Sequence, residues 1–135
     1  MVGYSLMVAC LALNIYHEAG VEPPKGQLAV GLVTLNRAKQ HHMDICDVVF
    51  EDSQFSWTKD ARDEHGKLKK KYLPHGILWL RSQRVAHQVL NGVPDFTHGA
   101  TYYYADYIAA PNWDFTQLQY VGKFGAHYFY RDRGL

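Results

Sequence analysis

Glu18 is the residue of this chain best placed to do chemistry, because it closes a helical face begun by Leu11, Asn14 and Ile15 at spacings of three and four. A carboxyl on a largely apolar face is penalised as an anion, so its pKa rises and it keeps a proton near neutral pH. That is the state a general acid needs. The competing reading places Glu18 merely in the last turn of a helix, beside a terminator, Gly20. Eight histidines invite a metal-dependent reading, and their spacing argues against it. No histidine stands four positions after His17, and His41 and His42 are adjacent, whereas two ligands on one helix need a spacing of three or four. Neither a metal nor another cofactor is expected. Glu22 is the nearest second carboxylate, but Pro23 and Pro24 turn the chain away after it, which suits a helix-terminus charge better.

The helix that holds Glu18 is expected from about Tyr4, ended by Gly20 in the left-handed conformation. A second helix opens at Pro24 and Lys25 and runs to roughly Lys39. Its Leu28, Ala29, Val30, Leu32, Val33 and Leu35 leave almost no polar face, so it belongs inside the core. Asn36 and Arg37 at its end are read first as ties to a neighbouring loop, and second as groups that position Glu18 or a substrate. After a short helical segment at Ile45, Val48, Val49 and Phe50, the run Gln54-Phe55-Ser56-Trp57 falls on a loop or extended stretch. A Trp beside amide and hydroxyl groups suits a saccharide subsite, and Phe55 and Trp57 would equally well cap the core. Lys59 to Lys71 reads as a solvated polar loop or as a basic lip, and a third long helix spans Pro74 to Gly92, with His87 in a structural role. In the last third, Thr101 to Tyr104 and Tyr128 to Tyr130 predict a short antiparallel pair, and Pro111-Asn112-Trp113 a turn that displays Trp113. Phe124, His127 and Phe129 are candidates for a cleft wall, with a buried core histidine as the alternative for His127.

A chain of 135 residues with 47% apolar content fills one core, so a single domain over residues 1–135 is expected, without internal repeats. Net charge is +1 with 20% charged residues, which leaves no global field to recruit nucleic acid or a membrane surface. Ten Tyr and three Trp serve either as sugar platforms or as core filler. Cys10 and Cys46 lie in apolar surroundings and read as buried small hydrophobes without a disulfide, compatible with folding in a reducing compartment. Met1 to Tyr16 has no Lys or Arg ahead of its apolar run and is short for a span. It reads as a structural helix, neither signal peptide nor integral membrane segment.

Glu18-Ala19, Glu22-Pro23, Gly26-Gln27, Ala29-Val30 and Leu35-Asn36-Arg37 are followed by Gln54-Phe55-Ser56, by Gly99-Ala100-Thr101-Tyr102-Tyr103, by Ala105-Asp106-Tyr107 with Pro111 and Trp113, and by Gly125-Ala126-His127 through Phe129-Tyr130-Arg131. In that order they resemble the signatures of the spore-cortex-lytic, cell-wall-hydrolase family related to lytic transglycosylases. The resemblance covers nearly the whole chain, and Ala19-Gly20 departs from the Ala-Arg common after the family's Glu. It implies an α+β, mainly α, lysozyme-like single domain with a small antiparallel β element and a cleft for a peptidoglycan glycan strand. Glu18 would be catalytic, and Gln54, Phe55, Ser56, Trp57, Tyr102, Tyr103, Trp113, His127 and Tyr130 would bind substrate. The reaction implied is cleavage of the β-1,4 bond between N-acetylmuramic acid and N-acetylglucosamine, by attack of the muramoyl C6 hydroxyl to leave a 1,6-anhydro end or, alternatively, by hydrolysis. A non-catalytic wall-binding module would leave the acid on its apolar face unexplained. A monomer is expected. A phage endolysin made in the host cytoplasm, reaching the wall once the membrane is permeabilised, and a clipped domain of a secreted enzyme both suit this chain.

Overall fold

The computed structural model describes residues 3–51 and 56–134, except for the side chain of Ser56. Helix α1 is Tyr4–Ala19, α2 is Pro24–His41, α3 is Ile45–Val49 and α4 is Gly76–Leu90. The apolar N-terminal stretch is therefore helical from Tyr4 and core structure from Val8 onward, burying Val8, Leu11, Ala12 and Ile15. No described helix is long and apolar enough to cross a membrane.

Helix α1 packs chiefly on α4, and α2 lies against both. Ala29, Val30 and Val33 of α2 are fully buried, as its near-absence of a polar face requires. Pro24 supplies the pre-set φ of a first helical turn, and His42 closes α2 in the left-handed region at φ 54°. The expected left-handed Gly20 is corrected: it stays right-handed at φ −57° and ψ −32°. Glycine is needed there for room instead, since a Cβ would stand 2.5 Å from the Tyr16 carbonyl oxygen.

The reading of the cysteines is also corrected. Cys10 of α1 and Cys46 of α3 are joined as a disulfide, with Cα atoms 5.2 Å apart and a sequence separation of 36. Helix α3 folds back onto α1, and that return is a tertiary event to which an apolar local context gives no clue. From Ser56 the chain makes a 3-10 turn to Asp60, a bridge between Arg62 and Leu68, and a second 3-10 turn at Lys70–Tyr72.

Three antiparallel strands follow where two were expected: β1 Tyr102–Ala105, β2 Leu118–Phe124 and β3 His127–Asp132, in the order β1-β3-β2. Strand β2 escapes a pattern reading because Gly122 and Lys123 interrupt it, and a bulge between Tyr120 and Gly122 breaks the alternation. Register pairs Tyr102 with Tyr130, Tyr103 with Phe129 and Tyr104 with Tyr128. One face thus carries Tyr103, His127 and the fully buried Phe129 toward the helices, and the other carries Tyr102, Tyr104, Tyr128 and Tyr130 outward.

Candidate active site

Glu18 sits one residue from the end of α1, at the edge of a buried polar network. Burial pushes its carboxyl up to a pKa of about 7, while the Arg37 guanidinium and a hydrogen bond from Tyr103 pull the other way. Arg37 comes from α2 and is held by its Nε donating to the Thr101 carbonyl at 2.7 Å, just before β1. It acts as the tie the sequence suggested and also as the cation beside the acid. Burial likewise lowers the pKa of Arg37 and holds that of Tyr103 well above the usual tyrosine range. The Tyr103 hydroxyl is shared between Glu18 and Asn14.

Asn14, one helical turn before Glu18, is fully buried. Its Nδ2 donates to Thr34 Oγ1 at 3.2 Å, and its Oδ1 accepts from Trp57 Nε1 at 2.8 Å. Trp57 is buried, and its indole stacks on His17 with centroids 4.3 Å apart and planes at 24°. His17 Nε2 donates to the Tyr72 carbonyl at 2.9 Å, and burial lowers its pKa against that bond. Trp57 thus occupies the core-capping position while fixing the side chain that reaches Tyr103. Gln54 and Phe55 lie outside the described residues, as does the side chain of Ser56, whose backbone opens the 3-10 turn.

The remaining candidates divide between two other places. Trp113 and Tyr130 lie on the outer face of the sheet, where Trp113 packs on Tyr102 at 5.4 Å and on Tyr104 at 5.9 Å, so the expected display of Trp113 on a turn is replaced by packing. Tyr102 shares that face but also lines, with Arg37, Gln40, His41 and Thr101, a polar cavity of about 160 Å³. Its hydroxyl donates to Asp132 Oδ1 at 3.1 Å. His127 is buried on the inner face, with Nδ1 3.5 Å from Glu22 Oε1, and burial lowers its pKa while Glu22 opposes the shift.

Glu22 accepts the Ala126 backbone N–H and so fastens the β2–β3 turn to the start of α2. Gly125 at that turn has φ 61°, and a Cβ on it would run into Glu22 Oε1. Asp106 is taken up by Lys123 Nζ at 2.8 Å. Neither carboxylate is among the groups that shift Glu18, whereas Glu51, half-buried and unremarked in the sequence, contributes to the field at Arg37. Asn14 and Thr34 also went unassigned. Their signal was a polar side chain at a core position of a helix, which local pattern cannot tell from a satisfied buried group. Among the described residues no three His, Cys, Asp or Glu side chains converge as a metal-ligand set. The centre is suited to proton transfer: one carboxyl about half protonated at neutral pH, beside a cation that stabilises its conjugate base.

The model of a family described as Cell Wall Hydrolase matches residues 21–130, a span that begins just after Glu18. None of the curated proteins matches the chain. Among solved structures, the catalytic domain of the Bacillus cereus SleB protein is similar, at 29% identity and a TM-score of 0.71 over 97% of this chain and 94% of that one. The catalytic domain of the germination-specific lytic transglycosylase SleB from Bacillus anthracis is similar too, at 26% identity and a TM-score of 0.72 over 97% of this chain and 99% of that one.

Proposed function

Since the chain belongs to the cell wall hydrolase family, we propose that it is a lytic transglycosylase, cleaving the β-1,4 bond between N-acetylmuramic acid and N-acetylglucosamine with Glu18 as acid and then as base. The observation that carries this reading is the isolation of one carboxyl, pushed up to about pKa 7, between Arg37 and Tyr103. The likeness to a domain named as a lytic transglycosylase supports it.

In the first step Glu18 gives its proton to the glycosidic oxygen as the bond from that oxygen to the muramoyl C1 breaks and an oxocarbenium-like centre forms. Arg37 lies where it stabilises the Glu18 carboxylate so produced, and Tyr103 donates to it. In the second step the muramoyl C6 hydroxyl attacks C1, and its proton returns to Glu18. One C–O bond is broken, one is formed, and no water is consumed. A nucleophile that is already part of the bound sugar gains the advantage of an intramolecular reaction.

Hydrolysis has a specific candidate for its second carboxylate in Glu51, which shares the field of Arg37 with Glu18. Mass spectrometry of unreduced fragments from purified peptidoglycan separates the two. Anhydro ends, lighter by one water and resistant to borohydride, are expected from the wild type and from Glu51→Gln alike. Mostly reducible muramic ends, lost in Glu51→Gln, would instead make the protein a muramidase.

A further inference from the structure

An antiparallel sheet with one face on the core normally turns polar side chains outward. This one turns out rings. Tyr104 stacks on Tyr130 with centroids 6.1 Å apart and planes at 10°, and Tyr128, Phe115 and Tyr120 join them at 5.3, 5.2 and 5.4 Å. Trp113 closes the group against Tyr104. The segment from Trp113 to Phe115 lies along part of this face, the remaining tyrosines are half-buried against one another, and Tyr120 keeps 53% of its surface exposed. Cross-strand aromatic pairs do stabilise sheets, but that benefit does not require a partly open cluster of this extent. An exposed apolar patch usually marks something to be bound.

We propose that this outer sheet face is a second glycan-holding surface, which grips wall polysaccharide outside the catalytic centre. The proposal rests on the reading of the protein as a peptidoglycan-cleaving enzyme. Its rings are mostly tyrosines, flat and apolar in the body with a hydroxyl at the rim, and a pyranose offers the complement: a flat C–H face with hydroxyls around it. Few charges stand on the face, and they are engaged: Lys123 is paired with Asp106, and the Asp132 carboxylate accepts hydrogen bonds from Tyr102 and Gln40. A neutral polymer therefore fits better than an acidic or basic partner. The face is also continuous with the catalytic centre. Tyr102 belongs to it through its pairing with Tyr130, and lines the same small cavity as Arg37, the cation beside Glu18. A strand engaged at Glu18 can pass over the edge strand β1 onto these rings, and the second contact then acts at the high effective concentration of a tethered site.

The test uses Tyr120→Ala, the double variant Tyr120→Ala/Tyr128→Ala, and Tyr104→Phe, which keeps the ring and removes the hydroxyl. Co-sedimentation with insoluble peptidoglycan is measured in a Glu18→Gln background, and turnover of a soluble peptidoglycan tetrasaccharide in the active one. The double variant should bind walls about tenfold more weakly, with Tyr120→Ala intermediate and tetrasaccharide turnover kept within about twofold. If the double variant loses thermal stability, Tyr120→Ala and Tyr104→Phe decide, because one side chain is half exposed and the other keeps its packing. Undiminished wall binding overturns the proposal. So does a parallel loss of tetrasaccharide turnover, which would make the face part of the catalytic cleft, or a wild-type dimer that the variants dissolve, which would make it an interface between copies. A wild type that binds walls through these rings but cleaves no peptidoglycan would overturn the assigned reaction and leave the surface standing.

Discussion

A carboxyl with a pKa of about 7 in the folded protein, against an ordinary 4.5, is a charge that the fold disfavours. Between those values the folded chain binds a proton that the unfolded chain has released, so stability falls as pH rises from about 4.5 to about 7 and stays lower above. The full shift corresponds to roughly 3 kcal/mol, reduced because Glu18 retains some solvent contact. Glu18→Gln should therefore melt higher than the wild type at pH 8 and with less dependence on pH. Parallel melting curves for the two from pH 5 to pH 8 would remove the argument. The same variant should lose about two orders of magnitude or more in turnover. For the wild type, the rate should decline above pH 7 as the acid ionises. Arg37→Met removes a cation that favours the carboxylate, so the alkaline limb should move to higher pH, and Tyr103→Phe should move it the same way by loss of a donor. An unmoved limb in Arg37→Met would reduce Arg37 to its tie with Thr101.

Elements meet at two fastenings, and each makes its own prediction. The disulfide closes a loop of 36 residues between α1, which bears Glu18, and α3. Loop closure of that length contributes roughly 4 kcal/mol in the chain-entropy account. Reduction, or Cys10→Ser with Cys46→Ser, should lower the denaturant midpoint clearly, and an unchanged midpoint would show that the bond adds nothing to the packing of α3 on α1. The second fastening joins Glu22 to the β2–β3 turn. Gly125→Ala forces a Cβ onto Glu22 Oε1 in a left-handed backbone, so it should destabilise by about 2 kcal/mol or more, against little change for the exposed Gly66→Ala beyond its own positive φ. Equal losses at both glycines would deny Glu22 its role. Helices were legible at this scale because α1, α2 and α4 carry long periodic apolar faces with Pro or Gly at their ends. Strand β2 was not, since its bulge and its glycine erase the alternation on which a strand is recognised.

At the scale of the molecule, charge is nearly balanced and the basic run is partly spent on itself: Lys69 and Lys71 both reach Asp60, the latter at 3.2 Å. Exposed pairs of this kind are weak and screened. Binding to walls should therefore change little between low and physiological salt, and Lys69→Ala with Lys71→Ala should leave the salt profile in place. A steep loss with salt, abolished in that double variant, would restore the basic lip. A disulfide persists most readily outside the reducing cytoplasm, so activity after incubation with dithiothreitol is the measurement that joins compartment to fold. The sequence by itself determined that Glu18 is desolvated, since a Glu that ends an apolar helical face loses water wherever that helix packs, and it determined the three long helices for the same local reason. Order and spacing of short motifs were enough to indicate the family. Only the tertiary structure decided which polar groups surround Glu18, because Asn14, Arg37, Trp57 and Tyr103 come from four separate segments whose meeting depends on how α2 and β1 cross the end of α1. It also decided that the aromatic residues of the last third divide between two faces of one sheet. Each ring is equally apolar in the sequence, and only strand register and the side on which the helices pack determine whether it enters the core or faces outward.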